Sequence, residues 1–111
     1  MIGILSASLI AANLPAAQPG ACGWVHGRFL VYNGSSVRRI WIVGTRRLVA
    51  MRDYDDSAPA AVERYVNTGP HYQDGLFGDF RICARDTRRS GHMQHVRVTA
   101  TRNLRFRGEP F

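Results

Sequence analysis

Lysine is absent from the whole chain of 111 residues, and residues 1–25 contain no Asp, Glu, Lys, Arg or His. The apolar run at residues 2–14 is too short for a transmembrane helix, which needs roughly 20 residues. Its length is typical of the hydrophobic core of a signal peptide, and a small, Pro-rich tract follows at residues 15–21. We therefore expect a signal-peptide-like segment at 1–21 and a single small exported domain at 22–111, in the periplasm or secreted.

This export signal departs from the usual pattern in two ways. A signal peptide normally opens with positive charge, whereas the first Arg of this chain is Arg28. The segment Pro19-Gly20-Ala21-Cys22 matches the last three positions of a bacterial lipobox but has Pro where that motif has Leu. A lipid anchor at Cys22 and a buried N-terminal helix therefore stay open as alternatives to a cleaved signal.

The chain has only two cysteines, Cys22 and Cys83, and they lack the paired short spacings of a structural zinc site. Two cysteines in an exported protein predict a disulfide between them. A loop of this length contributes on the order of 4 kcal/mol in the chain-entropy model, less any strain in the native state. We expect no metal ion and no cofactor.

Acidic residues are scarce, since eight Asp and Glu stand against fifteen basic residues, all of them Arg, for a net charge of +7. A strongly basic exported domain favours an anionic partner such as a nucleic acid, an anionic lipid, an acidic glycan or an acidic protein. Arginine in place of lysine, together with twelve alanines, is also typical of codon bias in a GC-rich genome. The positions of the arginines are therefore more informative than their number.

The sequence lacks a Gly-x-Ser-x-Gly elbow, a phosphate-binding glycine loop and a dinucleotide fingerprint. His92 and His95 are predicted to lie on a strand, where side chains three residues apart point to opposite faces, so we expect no joint metal site. The acidic run at 53–57 resembles the start of a calcium loop, but Ala58 and Arg64 replace the Gly and Glu that such a loop requires. We therefore expect no catalytic residues and no enzymatic activity.

Short runs of alternating apolar and polar residues, separated by Gly and Asn, predict a mainly β domain. The predicted strands are residues 24–32, 37–43, 46–51, 76–84 and 93–101, with a short edge strand at 104–107. Residues 59–66 are the one helical candidate, with Asp56 or Ser57 as the N-cap. We expect a small antiparallel curled sheet or barrel of five to six strands with one short helix; an α+β arrangement is the alternative.

The turns fix the register of the first three predicted strands. We expect a two-residue turn at Gly44-Thr45 and a four-residue connection at 33–36, because a shorter connection would set Arg28 against Arg39. The predicted cross-strand neighbours are Trp41 and Leu48, Arg39 and Ala50, Arg28 and Trp41, and Leu30 and Arg39. One sheet face is then apolar and is the predicted core: Val25, Gly27, Phe29, Val31, Ile40, Ile42, Val49 and Met51, interrupted near the strand ends by Arg38 and Arg47.

The opposite face interleaves aromatic rings with arginines, an arrangement that stacks planar groups and neutralises anions. The candidate ligand face consists of Trp24, Arg28, Tyr32, Arg39, Trp41 and Arg46. Single-stranded nucleic acids and acidic sugars are ligands that such a face would hold. The alternative is structural: the two tryptophans form a second packing layer beneath the later strands, and the arginines reach past them to solvent.

Five short segments of the chain carry a further pattern: His26-Gly27-Arg28, Asn33-Gly34, the run at 39–47, Gly78-Asp79-Phe80 and His92-Met93-Gln94. This pattern resembles small exported proteins of unknown function from GC-rich bacteria. The resemblance spans roughly residues 22–97 and implies bacterial export and a β-rich domain, without catalytic residues to carry over.

From the residues and this resemblance we expect a non-enzymatic binding or interaction domain at the cell envelope. Its partner would be an anionic glycan, another polyanion or an acidic protein. Two alternatives stay open. One is a small enzyme with a pocket at His26 or Asp79, and the other is an inhibitor of a host or envelope enzyme that inserts the basic turn at 85–91.

Overall fold

The computed structural model describes residues 18–32, 37–52, 58–68 and 74–111, without the side chain of Tyr32. The elements are β1 (Cys22–Tyr32), β2 (Val37–Ile42), β3 (Leu48–Met51), α1 (Ala60–Asn67), β4 (Leu76–Ala84), β5 (Gln94–Phe106) and β6 (Glu109–Pro110). The prediction of a mainly β fold with one short helix is confirmed. The predicted signal segment up to residue 17, the connection at 33–36 and the acidic run at 53–57 lie outside the described residues. The predicted N-cap at Asp56 or Ser57 is wrong, because α1 begins at Ala60 and its N-cap is Pro59, which makes no side-chain capping hydrogen bond.

The six strands form one sheet in the order β3-β2-β1-β4-β5-β6. Neighbouring strands in this order are antiparallel. One further pairing, the parallel contact of β3 with β5, closes the first five strands into a barrel and leaves β6 outside it. A five-stranded barrel with this strand order, and with a helix between β3 and β4, has the connectivity of the OB fold.

The first three strands pair in the predicted register. The observed neighbours are Trp41 and Leu48, Arg39 and Ala50, Arg28 and Trp41, and Leu30 and Arg39. Tyr32 lies opposite Val37, so the connection between β1 and β2 has the expected four residues. Since side chains alternate along a strand, this register alone decides which residues face the core.

The predicted apolar face forms the interior of the barrel. Its members are all buried: Val25, Gly27, Phe29, Val31, Ile40, Ile42, Val49 and Met51. The helix adds Val62 and Tyr65 to the same core, and the Tyr65 ring meets Phe29 edge-on at 5.7 Å between centroids. Arg38, which interrupts this face, is neutralised by a 2.8 Å ion pair with Glu63 of α1.

Several strand ends differ from the prediction. The third strand begins at Leu48 rather than at 46, and β5 runs through Phe106, so the predicted edge strand at 104–107 belongs to it. Asn103 has a φ of 56°, and the pairing of β5 with β4 shifts register twice. The polar residues before Leu104 therefore mark a bend within one long strand.

The disulfide between Cys22 and Cys83 is present, as predicted. The two residues lie directly opposite each other on β1 and β4, with their Cα atoms 4.0 Å apart. The bond therefore joins the two strands at the start of β1. Among the described residues, no helix has both the length and the apolar character needed to cross a membrane.

Gly27 permits the close packing of β1 against β2, and its replacement tests this part of the fold. A Cβ at this position would lie 2.6 Å from Cγ2 of Ile40 and 3.3 Å from Cδ1 of Phe80. We expect Gly27→Ala to lower the free energy of unfolding by about 1–3 kcal/mol in urea denaturation, because the core is overpacked. In an Ile40→Ala background the same change should cost much less. An equal cost in both backgrounds would contradict this packing.

Candidate functional site

The residues of the predicted ligand face lie at different positions along β1 and β2 and have different neighbours. Trp24, near the start of β1, lies opposite Arg81 of β4. The guanidinium of Arg102 lies 4.1 Å from the centroid of the Trp24 ring system. A cation from the protein itself therefore already occupies one face of this ring.

Arg28 and Trp41 lie opposite each other on β1 and β2, as predicted. The Arg28 guanidinium is 5.8 Å from the Phe77 ring centroid and donates long hydrogen bonds of 3.4 Å to the Asp74 carbonyl. Trp41 Nε1 donates a 2.6 Å hydrogen bond to the Thr45 carbonyl, which braces the β2–β3 turn. Trp24 and Trp41 are both half-buried, so part of each ring remains accessible.

His26 and Asp79, each named above as a possible pocket residue of an enzyme, lie opposite each other on β1 and β4. Asp79 accepts hydrogen bonds from His26 Nδ1 at 3.1 Å, Asn103 Nδ2 at 3.0 Å and Arg102 Nε at 3.4 Å. Burial acts to raise the pKa of Asp79, but these three hydrogen bonds outweigh it and hold that pKa below its usual value. Asp79 is therefore an ionised partner for neighbouring cations at neutral pH.

Replacing Asp79 with Asn tests this assignment. A carboxyl group whose pKa is lowered by folding stabilises the protein above its unfolded pKa, and this contribution disappears as the pH falls through the folded pKa. We expect Asp79→Asn to lower the free energy of unfolding by about 0.5–1 kcal/mol at neutral pH. The loss should shrink below about pH 4. Urea denaturation across this range measures it, and a loss of the same size in strong acid would contradict the role of the charge.

Three adjoining cavities follow the seam between β3 and β5, with volumes of about 390, 340 and 260 Å³. Met93 and His95 border the first and second, and Arg89 and His92 border the first and third. Because these lining residues are shared, the three cavities are neighbours, and we call the region that they occupy the basic groove. Its charged and imidazole residues are Arg39, Arg46, Arg47, Arg52, Asp86, Arg88, Arg89, His92 and His95.

Positive charge accumulates in the basic groove, where six arginines face one described carboxylate, Asp86. Within the described part of the chain, four of these arginines form no ion pair: Arg46, Arg52, Arg88 and Arg89. Burial first, and then the charge of Arg88, lower the pKa of Arg47. Arg47 of the β2–β3 turn and Arg88 of the β4–β5 loop are thus close enough to repel each other.

Hydrogen bonds hold the β4–β5 loop at the edge of the groove. Gln94, buried at the start of β5, accepts a 2.8 Å bond from Arg47 Nη2 and donates a 2.9 Å bond to the Asp86 carbonyl. Asp86 in turn accepts the His95 backbone N–H at 3.0 Å through one oxygen and contacts His95 Nδ1 at 3.0 Å through the other. The β2–β3 turn, the loop and β5 are therefore connected through side chains.

The structure brings only some of the predicted site residues together. Arg39 and Arg46 of the candidate ligand face border the basic groove, and residues of the basic turn at 85–91 line two of its three cavities. The prediction that His92 and His95 point to opposite faces is wrong, because β5 begins at Gln94 and His92 lies in the preceding loop. Both histidines line the same cavity of about 390 Å³.

Comparison with protein-family models, with curated proteins and with solved structures finds no match to this chain. No group of three or more His, Cys, Asp and Glu side chains within the described ranges is arranged to hold a metal ion. The site must therefore be interpreted from its own geometry and charge.

Proposed function

We propose that this protein is an exported binding domain that holds an anionic polymer in the basic groove. The proposal is carried by four arginines of the groove at the β3–β5 seam that form no ion pair within the described residues: Arg46, Arg52, Arg88 and Arg89. Guanidinium groups keep their charge at all physiological pH values and bind phosphate, sulfate and carboxylate groups in bidentate geometry. Placing so many of them together is unfavourable unless an anion neutralises them.

The shape of the site favours a chain over a small anion. The groove extends through three neighbouring cavities, from the Arg46-Arg47 turn past the β4–β5 loop to Arg39 and Arg52. This is the outer surface of β2 and β3 beside the β4–β5 loop, the surface on which OB folds bind oligonucleotides and oligosaccharides. The fold supplies the platform, and the arginines supply the specificity for negative charge.

The candidate ligand face extends this surface. Arg39 and Trp41 are two residues apart on β2 and therefore share one face of the sheet. Trp41 lies opposite Arg28 of β1. A polymer that leaves the groove across β2 would pass the accessible part of the Trp41 ring, where planar groups stack. The charge-free segment at 1–25 and the disulfide both support export, with the envelope of a bacterium as the proposed location.

Salt-dependent binding to a fluorescein-labelled single-stranded DNA oligonucleotide, measured by anisotropy, tests the proposal. The slope of log Kd against log salt reports the number of phosphates that the protein neutralises, at about 0.7 per contact. We expect the double variant Arg88→Gln/Arg89→Gln to weaken binding. The slope should fall by more than about 0.7, which corresponds to the loss of more than one phosphate contact.

Arg105→Gln is the matched control for charge, because Arg105 lies near the far end of β5 and, among the described residues, donates to the Gly108 carbonyl. It should leave the slope nearly unchanged. If the groove variant and the control variant lose the same affinity per charge removed, binding follows net charge. That result would contradict the groove as the binding site. Competition with an unlabelled uronic-acid polymer shows whether glycans use the same site.

A further inference from the structure

Asp86 fixes the orientation of the His95 imidazole at two points. One carboxylate oxygen accepts the backbone N–H of His95, and the other lies 3.0 Å from Nδ1. Because a carboxylate only accepts hydrogen bonds, Nδ1 is the donor and the neutral ring keeps its lone pair on Nε2. The His95 side chain is 45 % exposed and borders two of the three groove cavities.

A second imidazole and a guanidinium share the largest of these cavities with His95. His92 and Arg89 both line it, and the His92 backbone N–H donates a 3.1 Å bond to the Arg89 carbonyl. Arg89 forms no ion pair within the described residues. One cavity is thus lined by an oriented imidazole, a second imidazole and a guanidinium that has no ion pair among the described residues.

We propose that the basic groove cleaves single-stranded RNA by transphosphorylation, with His95 and His92 as catalytic residues. This inference rests on the proposed binding of an anionic polymer. RNA is the substrate class because its ribose 2′-hydroxyl is an internal nucleophile next to each phosphate. The reaction then needs a base, an acid and a cation, the three kinds of group that the cavity collects.

In the proposed step, His95 Nε2 removes the proton of the 2′-hydroxyl while that oxygen forms a bond to phosphorus. The bond from phosphorus to the 5′-oxygen breaks, and protonated His92 donates its proton to the leaving oxygen. The products are a 2′,3′-cyclic phosphate and a 5′-hydroxyl end. Arg89 neutralises the charge that develops on the phosphoryl oxygens, and Asp86, a positioning residue, stabilises the imidazolium formed at His95.

The test incubates the protein with a labelled single-stranded RNA in the presence of EDTA and identifies the products by mass spectrometry. We expect fragments that end in a 2′,3′-cyclic phosphate. His95→Ala and His92→Ala should each lower the cleavage rate by about 100-fold or more. His26→Ala removes an exposed imidazole from a different part of the barrel and should leave the rate unchanged. Loss of cleavage in the two groove variants, purified in the same way, would exclude a contaminating nuclease.

Binding of a DNA oligonucleotide of the same sequence, which lacks the 2′-hydroxyl, is measured for every variant. Retained DNA binding shows that a variant is folded, and His92 is exposed, so its loss should not disturb the fold. If the protein binds the DNA but does not cleave the RNA, the proposed cleavage is wrong and the proposed binding stands. Undiminished cleavage by both histidine variants would also overturn it. Failure to bind DNA at all would contradict the proposed function itself.

Discussion

Closure of the barrel by the parallel pairing of β3 with β5 is the constraint on which the rest of the structure depends. This pairing sets Val49 beside Gln94 and Ala50 beside His95, residues more than forty positions apart in the chain. It therefore brings the arginine-bearing β2–β3 turn next to the arginine-bearing β4–β5 loop. Gln94 connects the two through hydrogen bonds to Arg47 and to the Asp86 carbonyl. The basic groove is a consequence of this closure, since neither segment carries enough charge to form it alone.

Closure in turn depends on β1, which pairs with β2 along its second half and with β4 along its first. Gly27 belongs to both ladders, and the absence of a side chain there lets Ile40 and Phe80 approach the backbone. The disulfide joins the first residue of β1 to β4. The apolar core and the arginine-bearing surface thereby lie on the two faces of a single sheet. A small chain can in this way expose many arginines without the cost of burying them.

The local parts of this fold could be predicted from the sequence, whereas the site could be predicted only in fragments. The Gly44-Thr45 turn was sufficient for the register of the second and third strands, because hairpin pairing follows from turn length. The register of the first strand followed from the four-residue connection at 33–36, which keeps Arg28 away from Arg39. The β3–β5 pairing joins distant segments and has no local signal, so Arg46 and Arg88 could not be placed together. The direction of His92 was predicted from strand alternation, which does not apply to it, because β5 begins at Gln94 and His92 lies in the preceding loop. The candidate ligand face was derived from side-chain alternation alone, which does not say how far apart its members lie; Arg39 is opposite Leu30, six residues along β1 from Trp24.

Mapping of the ligand-binding surface by NMR tests the central claim most directly. An isotope-labelled sample of the domain would be titrated with a short single-stranded oligonucleotide, and the changes in backbone amide shifts would be placed on the barrel. The account predicts that the largest changes fall on the β2–β3 turn, on β3 and on the β4–β5 loop from Asp86 to His95. Changes centred instead on the outer surface of β1 and β4, around His26 and Asp79, or spread evenly over all arginines, would contradict it.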